Sequence, residues 1–200
     1  MEKLLLSEIA HCLNAECPEE KVITEISTDT RNLPAGCLFI AIKGERFDGH
    51  AFIKQAIENG AAAAVSEYPV DGCPCIVVKN TRTALLKLAK YYRSKFNPIL
   101  VGITGSVGKT TTKEMIALVL SEKYKTLKTQ GNLNNEIGLP KTLFNLDSSY
   151  QAAVIEMGMS DFGEIERLSN TAVPTIGVIT NIGFSHIENL KSQEGILKAK

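Results

Sequence analysis

The chain has 200 residues, 44% of them apolar, and 22 basic side chains balance 22 acidic ones. That length accommodates one or two cores. A formal charge of zero gives no broad positive field for nucleic acid or an anionic membrane, so an anionic ligand has to be held by a local site.

The N-terminal stretch MEKLLLSEIAHCLNAE contains an apolar run of only three residues, too short for a signal-peptide core, and no later stretch approaches a membrane span. Cysteines stand at 12, 17, 37, 73 and 75. Cys73-Pro74-Cys75 could contribute two metal ligands, but no second pair completes a four-ligand set, so the thiols read as buried or incidental. A soluble, reduced, cytoplasmic protein is expected.

In chain order, Val22–Ser27 is a predicted strand and the Asn32–Gly36 stretch a turn, with Pro34 fixing φ and Gly36 free to take positive φ. Cys37–Ile42 reads as a short buried strand, followed by a polar loop, Lys43–His50. Phe52, Ile53, Ala56 and Ile57 mark one face of a helix that Gly60 ends. Ala61–Val65 and Cys75–Val78 are further strands, and Thr81 is a fair N-cap for a helix carrying Leu85, Leu88, Ala89 and Tyr92. Asn97-Pro98 breaks that helix, because the residue before proline disfavours the α region. The domain boundary is placed there, giving 1–97 and 98–200.

The second part alternates strands and helices in the manner of a parallel sheet. Strands are expected at Ile99–Thr104, Lys125–Leu127, Ala152–Met157 and Thr175–Thr180. Helices are expected from Lys109, near Asn135–Phe144, over Asp161–Leu168 and from about Ser192. The apolar runs AAVIEM and IGVIT fit a sheet covered on both faces. The fold class is therefore α/β: a small mixed domain, then a mostly parallel sheet carrying a phosphate loop.

That loop is the most informative stretch, ILVGITGSVGKTTTKEM. A strand ends at Thr104, Gly105-Ser106-Val107-Gly108 turns the chain, and Lys109-Thr110 opens an amphipathic helix. Glycines let backbone N–H groups face an anion, and the helix N-terminus adds partial positive charge. Lys109 suits the β- and γ-phosphates of a nucleoside triphosphate, and the Thr110 hydroxyl suits Mg²⁺. The common spacing requires glycine at position 103; here Ile103 stands there, and the pattern is Gly102-x2-Gly105-x2-Gly108-Lys109-Thr110.

Glu156 ends an apolar strand, which in a parallel sheet puts it at the same carboxyl edge as the loop, where it can ligate a metal or face solvent. His186 follows another strand, and by spacing alone it is as often a packed or solvated histidine as a ligand. Asn132, Asn134 and Asn135 form an amide cluster that suits sugar, base or peptide hydrogen bonds, or simply a turn.

Taken together, these segments resemble the Mur ligases, which build the peptide stem of peptidoglycan precursors by ATP-driven amide formation. ISTDTRNLPAGCLFIAIKGERFDGH resembles the family's domain for the UDP end of the substrate, which implies contacts from Thr28, Asp29, Thr30, Arg31, Lys43, Gly44, Asp48, Gly49 and His50. GITGSVGKTTTKEM resembles its phosphate loop, implying ATP contacts from Thr104 to Thr110. AVIEMGM and TNIGFSHIE resemble the segments that carry its magnesium-binding glutamate and histidine, here Glu156 and His186. The family also uses a lysine carbamate as a metal ligand. Lys198 and Lys200 are both candidates, and the spacing from the histidine favours Lys200.

Thr28–Arg31, the 132–138 run with Asn134 and Asn135 as substrate contacts, and Glu156-Met157-Gly158 most resemble the members that add D-alanyl-D-alanine to UDP-MurNAc-tripeptide. The member adding the third stem residue is the alternative. A third, closing domain is implied and lies outside these residues, so this chain is expected to be inactive alone. A nucleotide switch would show a guanine-reading Asn-Lys-x-Asp segment, which Thr180-Asn181-Ile182-Gly183 does not supply. A UDP-sugar or nucleotide binding module without ligase activity is the remaining alternative.

Overall fold

The computed structural model describes residues 1–44 and 47–200, so Glu45 and Arg46 of the predicted Lys43–His50 loop lie outside the described residues. Contacts divide the chain into two units, Met1–Tyr91 and Tyr92–Lys200.

In the first unit, β1 (Leu4–Leu5) leads directly into α1 (Leu6–Leu13), which Asn14 ends in the left-handed conformation. Composition had not marked this helix, yet Leu6, Ile9, Ala10 and Leu13 line one buried face at helical spacing. The predicted strand Val22–Ser27 is two strands. β2 (Val22–Ile23) pairs antiparallel with β1, whereas β3 (Ile26–Ser27) pairs parallel with β4 (Leu38–Ile40). Thr24 and Glu25 carry the chain from one sheet to the other, and the Thr24 amide bonds back to Gly36.

A 3₁₀ turn (Gly49–Phe52) opens α2 (Ile53–Glu58), and Gly60 follows at φ 99°, the left-handed region that glycine enters without penalty. β5 (Ala63–Ser66) and β6 (Cys75–Val77) complete a parallel sheet of order β3-β4-β5-β6. Cys37, Phe39, Ala41, Ile53, Ala56 and Ala64 form its core. α3 spans Thr81–Ser94, so Thr81 is its first helical residue; the Asn80 carboxamide takes the cap, accepting the Thr83 amide at 2.8 Å. All five cysteines are free thiols.

In the second unit, Tyr92 from the last turn of α3 is fully buried, its hydroxyl donating to the Leu146 carbonyl at 2.6 Å. β7 (Ile99–Thr104), α4 (Lys109–Ser121), β8 (Thr126–Lys128), α5 (Gly138–Leu143), β9 (Ala152–Glu156), α6 (Glu164–Ala172) and β10 (Ile176–Ile179) alternate as expected. All four strands are parallel, in the order β10-β7-β9-β8.

Right-handed crossovers in that order put α4 on one face and α5 with α6 on the other. Ala117 of α4, with Ile116 and Leu120, packs on Val101, Ile103 and Val154. β9 is buried throughout, as its apolar run predicts. The IGVIT run is not: β10 is an edge strand, with Ile176 and Ile179 about half exposed, because only β7 flanks it among the described residues. Two short helices close the chain. α7 (Ile187–Leu190) was not expected, and α8 (Gln193–Ala199) starts where Ser192 caps the Gly195 amide.

Candidate active site

Because β7, β8, β9 and β10 are parallel, the segments that follow them emerge at one edge of the sheet. Residues 105–110 and 129–135 therefore meet around the end of β9, and residues 180–185 reach the loop at 105–107 from the β10 side.

The loop after β7 is shaped by two glycines in the left-handed half of backbone space, Gly105 at φ 149° and Gly108 at φ 82°. A Cβ on Gly105 would come within 1.9 Å of the Thr180 hydroxyl, so no larger residue fits there. The other side of the loop is pinned from β10. The Asn181 carboxamide oxygen accepts the amides of Ser106 and Val107 at 3.1 and 3.0 Å, and the Thr180 hydroxyl donates to the Val107 carbonyl at 2.6 Å. Gly183 donates to the Ser106 hydroxyl at 2.9 Å. Thus the segment that failed as a guanine reader braces the phosphate loop, a role that sequence reading missed.

Lys109 folds back over the loop, its ammonium 2.9 Å from the Gly105 carbonyl. The buried Thr104 hydroxyl has no hydrogen-bond partner among the described residues. A glycine cradle, a lysine leaning across it, the N-terminus of α4 and an unspent hydroxyl at its base together fit a phosphate chain.

Glu156 is 2% exposed at the end of β9. Its carboxylate accepts the Thr110 hydroxyl at 3.0 Å and the Asn134 amide at 2.8 Å, and its own backbone amide donates to the Thr129 hydroxyl at 2.9 Å. The fully buried Lys113 stands 3.9 Å from it. The structure therefore rejects the solvent-facing reading of Glu156 and joins it to Thr110, as a hard-cation site needs. Lys113, one turn beyond Lys109 on α4, was missed, because its burial comes from the packing of that helix on β9.

His186 stands at the N-cap of α7 at φ 63°, exposed, and is not among the partners of Glu156. No three His, Cys, Asp or Glu side chains converge on a metal-sized site among the described residues. Oxygen donors from Thr110 and Glu156 fit Mg²⁺ nonetheless, since that ion keeps several waters and binds through few protein ligands. Lys200, half-buried at the end of α8, feels the Lys109 charge; burial first and that cation second push its ammonium down to about 8. Lys198 is exposed.

Of the amide cluster, Asn134 reaches Glu156, whereas Asn135 caps α5, its oxygen accepting the Ile137 and Gly138 amides at 3.1 and 2.8 Å. The Asn135 oxygen is thus spent on the backbone.

In the first unit, the adjacent parallel strands β3 and β4 deliver residues 28–31, 43–44 and 47–50 to one sheet edge. Asp29 holds Arg31 in a forked ion pair, Nε to Oδ1 at 2.9 Å and Nη2 to Oδ2 at 2.5 Å. Thr28 and Thr30 are half-buried beside it. The backbones of Lys43 and Asp48 form an isolated antiparallel β-bridge, and Gly44 donates to the Phe47 carbonyl at 2.9 Å. Gly49 passes so close to Ile42 that a Cβ would sit 2.7 Å from its nitrogen.

His50 departs from the expectation of a ligand contact. It is 5% exposed, its Nδ1 is 2.6 Å from Asp48, its Nε2 accepts the Glu67 amide at 3.0 Å, and its ring stacks on Tyr68. Accepting at Nε2 fixes the proton on Nδ1. Both nitrogens are engaged within the protein, so the ring holds the loop in place.

Known proteins share the sequence and fold of this chain. The Mur ligase middle domain matches residues 103–200, and the Mur ligase family catalytic domain matches residues 22–93. The UDP-N-acetylmuramoyl-tripeptide--D-alanyl-D-alanine ligase of Bacillus subtilis (strain 168) is 50% identical over 186 residues, which is 91% of this chain and 41% of that protein. The enzyme of the same name from Escherichia coli (strain K12) is 42% identical, covering all of this chain and 45% of its own length. A crystal structure of MurF from Acinetobacter baumannii superposes with a TM-score of 0.95 at 37% identity, over 100% of this chain and 46% of that one. MurF from Thermotoga maritima, solved in complex with ADP, gives 0.82 at 37% identity, over 88% of this chain and 41% of that one. The chain spans less than half the length of these relatives; over the part it covers, the chain belongs to the Mur ligase family.

Proposed function

We propose that this chain supplies the nucleotide-handling part of a cytoplasmic ATP-dependent ligase that joins D-alanyl-D-alanine to UDP-MurNAc-tripeptide. The observation that carries this reading is the meeting of the phosphate loop with Thr110, Glu156 and Asn134 at one sheet edge, in a chain 50% identical to a ligase of that name. In the proposed reaction the substrate's terminal carboxylate attacks the γ-phosphorus of ATP and ADP leaves. The amine of D-alanyl-D-alanine then attacks the acyl carbon of the acyl phosphate, losing a proton, and phosphate departs.

Lys109 and the amides of Gly108, Lys109 and Thr110 would steady negative charge on the phosphoryl group in flight, the Ser106 and Val107 amides being spent on Asn181, in a geometry fixed before the substrate arrives. Thr110 and Glu156 would hold Mg²⁺, with His186 and a carbamate on Lys200 as further candidates. When bound, the ion would neutralise phosphate charge and help align the oxygens. Asn134 would keep the Glu156 carboxylate turned toward Thr110. Asp29, Arg31, Lys43 and the backbone near Gly44 and Gly49 would receive the UDP end of the substrate in the first unit. Nucleotide binding is the part of this function that the described site accounts for. Calorimetric titration with Mg-ADP and with UDP-MurNAc tests this directly: saturable binding of each is expected, and absence of Mg-ADP binding would overturn the reading.

A further inference from the structure

The reading of the loop as a nucleotide site leaves a row of charges beneath it without a role. Lys113 is 1% exposed, and its ammonium lies 3.1 Å from Glu114 Oε1 and 3.9 Å from Glu156 Oε2. The other oxygen of Glu114 pairs with Lys128 at the surface. Along this row the signs alternate: Lys128, Glu114, Lys113, Glu156. The outer pair neutralises itself, Lys113 neutralises Glu156, and Lys109 is left over, so the site is net cationic before any ligand arrives.

Resting on that nucleotide reading, we propose that Lys113 is a positioning residue that acts as a built-in counter-cation to Glu156. It makes the site refuse a free divalent cation and accept one only together with a polyphosphate. A buried carboxylate needs a partner, or it costs stability and gives up its charge. Lys113 provides that partner at Oε2, the oxygen that also accepts the Thr110 hydroxyl, yet it stays beyond hydrogen-bond distance, because Glu114 holds the ammonium closer to itself, at 3.1 Å against 3.9 Å. A divalent cation approaching alone meets one compensated carboxylate and two ammonium groups. A polyphosphate reverses this. Its charges pair with Lys109 and the N-terminus of α4, the local sign inverts, and the cation then gains both phosphate oxygens and Glu156.

The test uses the 200-residue chain, Mn²⁺ as a paramagnetic probe of the metal, and ADP as the polyphosphate. The wild type is expected to take up Mn²⁺ only when ADP is present. Lys113→Met is expected to bind Mn²⁺ without ADP at least about tenfold more tightly than the wild type, and Lys113→Arg to behave as the wild type. Should Lys113→Met fail to fold, Glu114→Gln carries the test, since Glu114 is largely exposed. With that pull gone, Lys113 closes on Glu156, so Mn²⁺ uptake in the presence of ADP weakens while ADP affinity alone holds. Tight Mn²⁺ binding by the nucleotide-free wild type overturns the inference. So does a folded Lys113→Met with wild-type Mn²⁺ affinity, or a Glu114→Gln with unaltered uptake. Failure of the wild type to bind ADP at all would overturn the nucleotide reading, and this inference with it, and is distinguishable because it precedes any metal.

Discussion

At the sheet edge of the first unit, polar side chains pair within their own loops: Asp29 with Arg31 and Asp48 with His50, each two residues apart. At the sheet edge of the second unit, one carboxylate collects partners from far along the chain, Thr110 46 residues away and Asn134 22 residues away. A local pair can form as soon as its loop does. A convergent site exists only once β7, β8 and β9 are assembled, so every member reports on the whole sheet edge. Lesions at the first edge should therefore act locally and modestly. Lesions at the second should remove binding and stability together.

The sharpest contrast is between two glycines. Gly105→Ala places a side chain at φ 149° and within 1.9 Å of the Thr180 hydroxyl, whose threonine is anchored at the end of β10. Strain and overpacking together are expected to cost about 3 kcal/mol and to abolish Mg-ADP binding. Gly72→Ala in the first unit meets no atom within 4 Å and suffers only its φ of 76°. It should cost about 1 kcal/mol and leave nucleotide affinity untouched. Thermal unfolding and titration of both variants check the contrast; equal effects would erase it.

Next in size is Lys109→Ala. Its ammonium is half-exposed and rests on a single carbonyl, so the fold should tolerate the change. Charged hydrogen bonds to phosphate are worth about 1.5–3 kcal/mol, so Mg-ADP affinity should fall about tenfold or more. Arg31→Ala makes the counterpart: its pair with Asp29 is exposed and screened by solvent, so its loss should leave both stability and ADP affinity nearly unchanged. Unchanged ADP affinity in Lys109→Ala would remove the loop from the site.

Sequence alone disclosed β7, the turn and the start of α4 to the residue, because glycines, Lys109-Thr110 and an apolar run each impose strong local geometry. It placed Glu156 correctly at the strand end because strand period and parallel topology fix that edge. It could not see that Lys113 lies under Glu156, since a lysine on a helix is ordinarily solvated and only the packing of α4 on β9 buries it. It read Val22–Ser27 as one strand because Thr24 and Glu25 carry no proline or glycine to mark the switch between sheets. It took His50 for a ligand contact because burial and the Glu67 amide are tertiary facts.

His50→Ala sharpens the comparison from the first unit's side. The change leaves the Glu67 amide without its acceptor, frees Asp48 and removes the stack on Tyr68. An orphaned buried donor costs about 1–3 kcal/mol, so the first unit should lose that much in denaturant unfolding while Mg-ADP affinity holds. Loss of ADP binding in this variant would show that the two edges are not independent.

The smallest effect expected belongs to Lys200, and it separates the two candidate lysines. Burial, and then the nearby Lys109 charge, hold its ammonium down to about 8 in the folded chain, whereas an unfolded lysine titrates near about 10.4. Between those values the unfolded chain keeps a proton that the folded chain has released. Stability from this group therefore rises as pH climbs through that window, and the full penalty for burying the ammonium is present below it. Lys200→Met should flatten that slope in pH-dependent unfolding, and Lys198→Met, at an exposed position, should not. The same depression bears on chemistry. At pH 7.5 about a quarter of folded chains would carry the neutral amine, against about one in a thousand for an ordinary lysine. Only the neutral amine attacks CO₂, so carbon-13 bicarbonate should give a carbamate resonance that Lys200→Met abolishes and Lys198→Met retains. A resonance lost instead in Lys198→Met would move the carbamate to Lys198, and no resonance in any variant would remove a carbamate from the site altogether.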